Sequence, residues 1–367
     1  MIEKLLNAAL RGPRTAAFVA SLLMLVPAAQ AGLGQSRLMA TASDGTAAEV
    51  TVYYPTAAPD KPVQRGRMTL QLAVDAEPQR GNGRLVVMSH GSGGTPWVHA
   101  DLARALVDAG FTVAMPWHAG DNARDHSRPG PDSWVLRPAE LSRTIDAVAQ
   151  DSRYAPLLQL DRVGVYGMSA GGHAALSMAG GRWSRAGFKR HCQANLEADF
   201  PACVGLIAHL KGKGDALDGL KLWVAHTLIG WMFRDGTVQA HDDPRVAAVV
   251  AAVPVAADFD LTTLARPRVP LGLVVAAQDR WLAPRFHARA VLSACKTCEL
   301  IADMPDAGHG SMLSPLPPGI TGWEGELLND PPGFDRRRMG EVDQRIAAFF
   351  RRHLLPQSGA WTAAGKP

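Results

Sequence analysis

Residues 167–171 read GMSAG and place Ser169 between two glycines, directly after the apolar run DRVGVYG at 161–167. The segment fits the pattern G-x-S-x-G, in which a strand turns sharply into a helix and exposes a serine hydroxyl on a strained backbone. Glycine and serine are common residues, so an ordinary glycine-rich turn is the alternative. The apolar run before the serine and the helical pattern AGGHAALSMAG after it favour a nucleophile, and we predict this role for Ser169.

A serine hydroxyl becomes a good nucleophile only beside a general base that a carboxylate orients. In sheets that carry this turn, the chain order is serine, acid, histidine. His309, in the glycine-flanked loop DAGHGSM after the last strand, is the predicted base. Asp279, which ends a strand in AAQDRWLAP, is the predicted acid. A turn or helix-capping role is the alternative for Asp279, and Asp258 and Asp260 are the alternative acids.

Three other histidines follow the serine and fit the base less well. His173 lies too close to Ser169 and precedes any candidate acid. His287 lies within a helical pattern, which indicates a surface or packing residue, and His353 ends the closing helix.

The tetrahedral intermediate of acyl transfer needs preorganised N–H donors. One predicted donor is the backbone N–H of Ala170, the residue after the serine. The other is expected in HGSGG at 90–94, where Ser92 is the predicted donor and Gly93 the alternative. Glycines in this loop let the backbone approach a substrate closely.

Strand and helix patterns alternate along the chain, which predicts an α/β fold with a mostly parallel central sheet and helices on both faces. Strands are predicted at 49–55, 68–74, 84–90, 111–116, 161–167, 245–254, 270–278 and 298–302. Helices are predicted at 97–110, 138–151, 170–180, 283–294 and 341–354. Residues from about 181 to 242 break the alternation, and we interpret them as a helical cap or lid inserted in a single domain of residues 32–367.

Several aromatic and polar residues are candidates for substrate contact. The predicted contacts are Trp97, Trp117 and His118. Further residues that could border the site are His90, Asp121 and Asn122. Structural hydrogen bonding is the alternative for these three and also for Trp117 and His118. The inserted segment adds Trp223, Trp231 and Phe233, which favour an apolar substrate group but would equally serve to pack the insertion.

Residues 1–31 are typical of a secretory signal peptide. The basic segment MIEKLLNAALRGPR precedes the apolar run TAAFVASLLMLV, and PAAQA then offers a cleavage site after Ala31. The apolar run is short for a membrane span, although an uncleaved anchor is the alternative. We therefore predict a periplasmic or secreted protein with no stable membrane insertion after cleavage.

Four cysteines occur as two close pairs, Cys192 with Cys203 and Cys295 with Cys298. In an oxidising compartment an even set predicts disulfides, and pairing between neighbours is the preferred connectivity. CKTC could instead be a redox motif or half of a metal site. A zinc site would need a second Cys/His pair at ligand spacing, which is not evident, and a redox motif would open a helix rather than precede the strand pattern ELIA. No metal site is predicted.

The composition is that of a globular protein that can bury a large core: 367 residues, 47% of them hydrophobic and 20% charged. The formal net charge is only +4, and no block of lysines and arginines stands out. We therefore predict no nucleic-acid partner. The sequence does not define an oligomeric state.

The chain resembles the α/β-hydrolase superfamily and, within it, bacterial proteins described as predicted dienelactone hydrolases, which are related to platelet-activating-factor acetylhydrolases. The likeness rests on VVMSHGSGGTPWVHADLARALVDAGFTVAMPWHAGDN, VYGMSAGGHAAL, AAQDRWLAP and DAGHGSM, and it covers most of residues 47–353. It implies ester hydrolysis by a triad of Ser169, Asp279 and His309. True dienelactone hydrolases use a cysteine nucleophile, so the serine at position 169 does not imply lactone-ring chemistry.

These observations predict a serine hydrolase that cleaves short- to medium-chain or lipophilic acyl esters through an acyl-enzyme, with a small-molecule ester as substrate and no cofactor. A peptidase of the same fold is an alternative, which activity on esters but not peptides would disfavour. An acyltransferase would share the first half-reaction and would reveal itself by an alcohol that outcompetes water. A non-catalytic binding member of the fold would usually lack a triad residue.

Overall fold

The computed structural model describes residues 32–42, 45–205 and 218–356, and these belong to one compact unit. The predicted signal segment, residues 1–31, lies outside the described residues. Within the described ranges, no helix has the length and apolar character needed to cross a membrane.

The strands and helices of the described residues follow one another in an α/β order. The strands are β1 (Gly32–Thr41), β2 (Ala47–Thr56), β3 (Lys61–Arg65), β4 (Met68–Val74), β5 (Leu85–Ser89), β6 (Thr112–Pro116), β7 (Val163–Met168), β8 (Arg182–Trp183), β9 (Val246–Ala252), β10 (Phe259–Asp260), β11 (Leu271–Ala276) and β12 (Glu299–Met304). The helices are α1 (Ala100–Asp108), α2 (Pro131–Gln150), α3 (Ala170–Met178), α4 (Arg185–Asn195), α5 (Phe200–Val204), α6 (Asp218–Met232), α7 (Ala288–Ala294), α8 (Gly322–Leu328) and α9 (Met339–Leu354).

One large sheet forms the centre of the described structure, with strand order β12-β11-β9-β7-β5-β6-β2-β1-β4-β3. Neighbouring strands from β12 to β6 are parallel, whereas β2 pairs antiparallel with both β6 and β1. The short strands β8 and β10 form a separate two-stranded sheet. The predicted α/β fold class with a mostly parallel sheet is therefore confirmed.

Helices cover both faces of the sheet and form two apolar cores. One core joins the sheet to α2 and α3 through residues such as Leu141, Ile145 and Ala174. The other joins it to α1 and α9 through residues such as Leu106 and Phe350. All six residues of β7, VGVYGM, are buried. A strand that is covered by helices on both faces needs such a continuous apolar sequence. Because the central strands are parallel, the loops after β5, β7, β11 and β12 meet at one edge of the sheet.

The start of α2 differs from the prediction, which took Pro138 as the first residue of the helix. The helix begins one proline earlier, at Pro131, and Pro138 lies inside it. Proline is favoured in the first turn of a helix and unfavourable in its interior. Pro138 was therefore predicted to begin the helix, although Pro131, seven residues earlier, occupies that position. The longer helix includes Arg137, whose side chain is fully buried.

The segment 181–242 contains β8, α4, α5 and α6 among its described residues. The rings of Phe188 and Phe233 pack edge to face with centroids 5.2 Å apart. Trp223 and Trp231 of α6 are 65% and 67% exposed. The cap or lid function of this segment stays a prediction.

Both predicted cysteine pairs are present as disulfides. Cys192 and Cys203 join α4 to α5 with their Cα atoms 5.5 Å apart. Cys295 and Cys298 bridge the turn between α7 and β12 with Cα atoms 5.7 Å apart. The described residues contain no free cysteine.

Candidate active site

Three side chains from distant parts of the sequence form a hydrogen-bonded series at the carboxyl edge of the sheet. His309 Nε2 lies 3.0 Å from the hydroxyl oxygen of Ser169, which follows β7. His309 Nδ1 lies 2.7 Å from Oδ2 of Asp279, which follows β11. All three residues are buried. The structure thus brings together the nucleophile, base and acid that the sequence predicts.

The backbone at Ser169 is strained, with φ 59° and ψ −119°. This left-handed region is unfavourable for a residue with a Cβ. The flanking glycines are sterically required: a Cβ on Gly167 would lie 1.9 Å from the carbonyl oxygen of Gly171. A Cβ on Gly171 would lie 2.0 Å from the carbonyl oxygen of Ser89. The turn therefore has the tight geometry that G-x-S-x-G predicts.

The hydrogen bonds of Asp279 fix the tautomer of His309. Oδ1 of Asp279 accepts the backbone N–H groups of Trp281 and Leu282, at 2.9 and 2.8 Å. Oδ2 is left to accept the Nδ1–H of His309, so Nε2 faces Ser169 as an acceptor. This is the arrangement that a general base requires.

The alternative acids are committed elsewhere. Asp258 is buried, and its Oδ2 lies 3.0 Å from Nε2 of His173. Asp260 accepts hydrogen bonds from the backbone and side chain of Thr262. Neither carboxylate contacts His309.

The loop after β5 offers an N–H donor near Ser169. The N–H of Gly93 donates to Oδ1 of Asp121 at 3.0 Å and is thus already used. In the described part of the chain, no acceptor takes the N–H of Ser92 or of Ala170. Of the two residues considered for this loop, Ser92 is therefore the better candidate oxyanion donor.

A buried ion pair supports this loop from behind. The side chains of Arg137 and Asp121 are both 0% exposed and lie 2.8 Å apart. Arg137 also donates to the carbonyl oxygen of His90, and Asp121 accepts the hydroxyl of Ser92 at 2.5 Å. Burial alone would raise the pKa of Asp121, but the guanidinium and the hydrogen bonds from Ser92 and Gly93 outweigh it and lower that pKa. Asp121 is therefore a carboxylate that holds the loop in place.

A second buried chain of hydrogen bonds reaches the same loop through His118. Burial lowers the pKa of His118, and the Arg137 guanidinium lowers it further, so the imidazole is neutral near pH 7. Its Nδ1 lies 2.5 Å from Glu140, and its Nε2 lies 2.7 Å from the hydroxyl of Ser89. A neutral imidazole carries one ring proton, so His118 donates from Nδ1 to Glu140 and accepts the hydroxyl proton of Ser89 at Nε2. Ser89 is the residue directly before the loop at 90–94.

A cavity of about 490 Å³ opens onto Ser169 and His309. The loop at 91–94 forms one wall, and the segment from Leu313 to Leu328, including α8, forms another. Its apolar lining residues are Val98, Met168, Trp281, Leu313, Pro317, Ile320 and Leu328. Besides His309, its lining side chains with charged or titratable groups are Arg67, His126 and Glu324. This size and lining suit a small organic molecule with an apolar group.

The model of the alpha/beta hydrolase family matches residues 86–317, which is more than half of the chain. The chain belongs to the alpha/beta hydrolase family. Among solved structures, it is similar to a ferulic acid esterase from Streptomyces cinnamoneus, with a TM-score of 0.56. The two are 17% identical over 90% of this chain and 91% of that one, so the likeness shows a shared fold. No curated protein matches the sequence.

The residues predicted to contact substrate lie outside the cavity lining of this alpha/beta hydrolase. The rings of Trp97 and Trp117 pack edge to face with centroids 5.7 Å apart. The guanidinium carbon of Arg124 lies 3.7 Å from the centroid of the Trp117 ring. His118 is fully buried in the hydrogen-bonded chain already described. Their substrate role stays a prediction, because the contacts in the structure are with other protein groups.

Sequence reasoning missed several residues of the alpha/beta hydrolase site. Trp281, two residues after Asp279, lines the cavity and stacks on His309 with ring centroids 6.2 Å apart. The wall at 313–328 and the support by Arg137 were also missed. An aromatic residue beside a predicted acid was an available signal, whereas no local pattern indicates which helical arginine will be buried.

Arg137 is expected to be essential for the stability of the hydrolase. Replacing it by methionine leaves the Asp121 carboxylate buried without its counter-charge, which should lower the free energy of unfolding by about 3–5 kcal/mol. Urea denaturation followed by tryptophan fluorescence measures this loss. Arg337→Met is the matched control, because Arg337 is 91% exposed in its pair with Asp335 and should change little. Equal losses in both variants would contradict the expectation.

Proposed function

We propose that the protein is a serine esterase that cleaves carboxylic esters through an acyl-enzyme. The observation that carries this proposal is the continuous series from the Ser169 hydroxyl through the His309 imidazole to the Asp279 carboxylate. An ester substrate is in keeping with a solved structure of the same fold that is named an esterase. The narrower resemblance to predicted dienelactone hydrolases and platelet-activating-factor acetylhydrolases stays a prediction.

In the first half-reaction, Ser169 attacks the ester carbonyl while His309 Nε2 takes its proton. Asp279 holds the imidazole and stabilises its charged form. The N–H groups of Ser92 and Ala170 bind the oxyanion of the tetrahedral intermediate. His309 then gives the proton to the leaving alcohol, and the acyl group remains on Ser169.

In the second half-reaction, His309 takes a proton from water, which attacks the acyl-enzyme. A second oxyanion forms at the same N–H donors and collapses to release the carboxylic acid. His309 returns the proton to Ser169. Both half-reactions use the same groups of the chain.

The cavity suggests which esters are cleaved. Its volume of about 490 Å³ and its apolar wall favour an acyl or alcohol group of short to medium length over a long lipid chain. A periplasmic or secreted location is in keeping with the two disulfides, which persist in oxidising compartments.

A fluorophosphonate probe and a panel of p-nitrophenyl esters from acetate to palmitate test the proposal together. We expect one phosphonate per chain, mapped by peptide mass to Ser169, and ester turnover with an optimum at short to medium acyl length. Labelling at another residue, or hydrolysis of peptides but not of esters, would contradict the proposal. Accumulation of transesterified product with added alcohols would identify an acyltransferase instead.

A further inference from the structure

A buried carboxylate of the inserted segment contacts the turn at 279–283, which begins with Asp279 and is called the acid turn here. Asp199 lies between α4 and α5 and is 1% exposed. Its Oδ1 accepts the N–H of Ala283 at 3.1 Å, and its Oδ2 lies 2.9 Å from Nε2 of His287 and 2.8 Å from Nε2 of His191. The disulfide between Cys192 and Cys203 closes the segment that contains Asp199 and restricts its movement.

The two histidines both donate to Asp199. Nδ1 of His287 accepts the N–H of Ala256 at 3.0 Å, so the ring proton of neutral His287 is on Nε2. Nδ1 of His191 lies 3.3 Å from the amide nitrogen of Asn195, which places its proton on Nε2 as well. Burial would raise the pKa of Asp199, but these hydrogen bonds outweigh it and lower that pKa. Asp199 is therefore ionised and fully hydrogen-bonded.

His287 extends this bridge to the nucleophile. It is buried, which fits the packing role that was one of its two predicted roles, and both of its ring nitrogens are hydrogen-bonded. Its partner Ala256 follows Val255, whose N–H donates to the carbonyl oxygen of Ser169 at 3.1 Å. Asp199 and His287 thus connect the backbone beside Ser169 with the backbone of the acid turn.

The acid turn lies between two carboxylates. Asp279 accepts the N–H groups of Trp281 and Leu282, and Asp199 accepts the next N–H, that of Ala283. Because Oδ1 of Asp279 is bonded to this turn, the position of the turn determines how Oδ2 is oriented toward Nδ1 of His309. A carboxylate displaced by about 1 Å would align the imidazole poorly, and a displacement of that size can lower the rate by about 100-fold.

We propose that Asp199 and His287 are positioning residues for the catalytic acid, and that the inserted segment supports catalysis by holding the acid turn. The inference rests on the proposed function, since it assigns Asp279 the role of the acid. It gives the insertion a task that differs from covering the substrate: none of its described residues lines the cavity beside Ser169.

The test compares Asp199→Asn and His287→Gln, alone and combined, with the wild type. In Asp199→Asn, Oδ1 can still accept from Ala283, but an amide N–H₂ then faces the histidine donors. We expect kcat for a p-nitrophenyl ester to fall about 10- to 100-fold in each single variant, with KM changed less than about threefold. The double variant should be no slower than the worse single variant, because both residues act through one bridge.

A pH–rate profile separates positioning from general destabilisation. A poorly aligned Asp279 stabilises the imidazolium less, so the acid limb of kcat/KM should move to lower pH in the variants. Asp243→Asn is the matched control. Asp243 is also buried and forms an ion pair, with Arg245, but it lies just before β9, at the amino ends of the parallel strands and not at the carboxyl ends where Ser169 lies. Its kcat and pH profile should match the wild type.

Each outcome decides the inference. Unchanged kcat in folded Asp199→Asn, or an equal loss in Asp243→Asn, overturns it. If Asp199→Asn does not fold, His287→Gln provides the same readouts. If the wild type hydrolyses no ester, the proposed function fails, and the rate of fluorophosphonate labelling at Ser169 then tests the bridge. Slower labelling in the variants supports the bridge, and equal labelling overturns it.

Discussion

Replacing Ser169 by alanine is expected to lower kcat/KM for a p-nitrophenyl ester by at least about 10⁴-fold. The reason is that alanine lacks the hydroxyl that lies 3.0 Å from His309 Nε2, so no acyl-enzyme can form. The proposed oxyanion donors remain and should leave a small residual rate. Alanine meets the same left-handed backbone strain as serine, so stability should change little.

The measurement is initial-rate kinetics on purified protein, together with loss of fluorophosphonate labelling. Ser177→Ala is the matched control, because Ser177 is a buried serine of α3, the helix that begins directly after Ser169, and its hydroxyl donates to the carbonyl oxygen of His173 at 3.2 Å. Its turnover should stay within about threefold of the wild type. Retention of a tenth or more of the activity in Ser169→Ala would rule out the serine mechanism.

Replacing Asp279 by asparagine should lower kcat by about 10⁴-fold with little loss of folding. The hydrogen bonds predict how the new amide must lie: its oxygen must face the N–H groups of Trp281 and Leu282, which leaves the N–H₂ toward His309. Two donors would then meet. His309 would adopt the other tautomer, with its proton on Nε2, and could no longer accept the proton of Ser169.

Single-turnover kinetics with a p-nitrophenyl ester measures the acylation rate of Asp279→Asn directly. Asp258→Asn tests the runner-up acid, which is also buried but pairs with His173. We expect its acylation rate to remain within about tenfold of the wild type. The reverse pattern, with the larger loss in Asp258→Asn, would mean that the acid is misassigned.

The parts of this site that follow from topology could be predicted from the sequence. Buried parallel strands have continuous apolar sequences, so β5, β7, β9 and β11 were evident, and their carboxyl ends necessarily meet. Ser169 and Asp279 follow two of these strands, and His309 follows the half-exposed strand β12, in the order that the nucleophile turn requires. Their proximity was therefore foreseeable, while their catalytic roles stay predictions that the variants above test.

The parts that depend on contacts between side chains could not be predicted. Arg137 and Asp121 lie on a helix and a loop with no sequence pattern that relates them, and only the fold buries them together. The same holds for Asp199 and His287, which are 88 residues apart. Strand β1 was also missed, since its sequence GLGQSRLMAT has a glycine-rich start and no regular alternation of apolar residues.

The buried Arg137–Asp121 pair has a consequence for how this enzyme could acquire new substrates. The loop is fastened to both members of this buried ion pair, so in the proposed mechanism its dipoles are aligned before any substrate arrives and little reorganisation energy is spent when negative charge develops. That same fastening leaves this wall little freedom to change shape. Substrate selectivity would then change mainly through the other wall of the cavity, at 313–328. We expect substitutions that alter the substrate range, in natural or laboratory evolution, to accumulate in that wall.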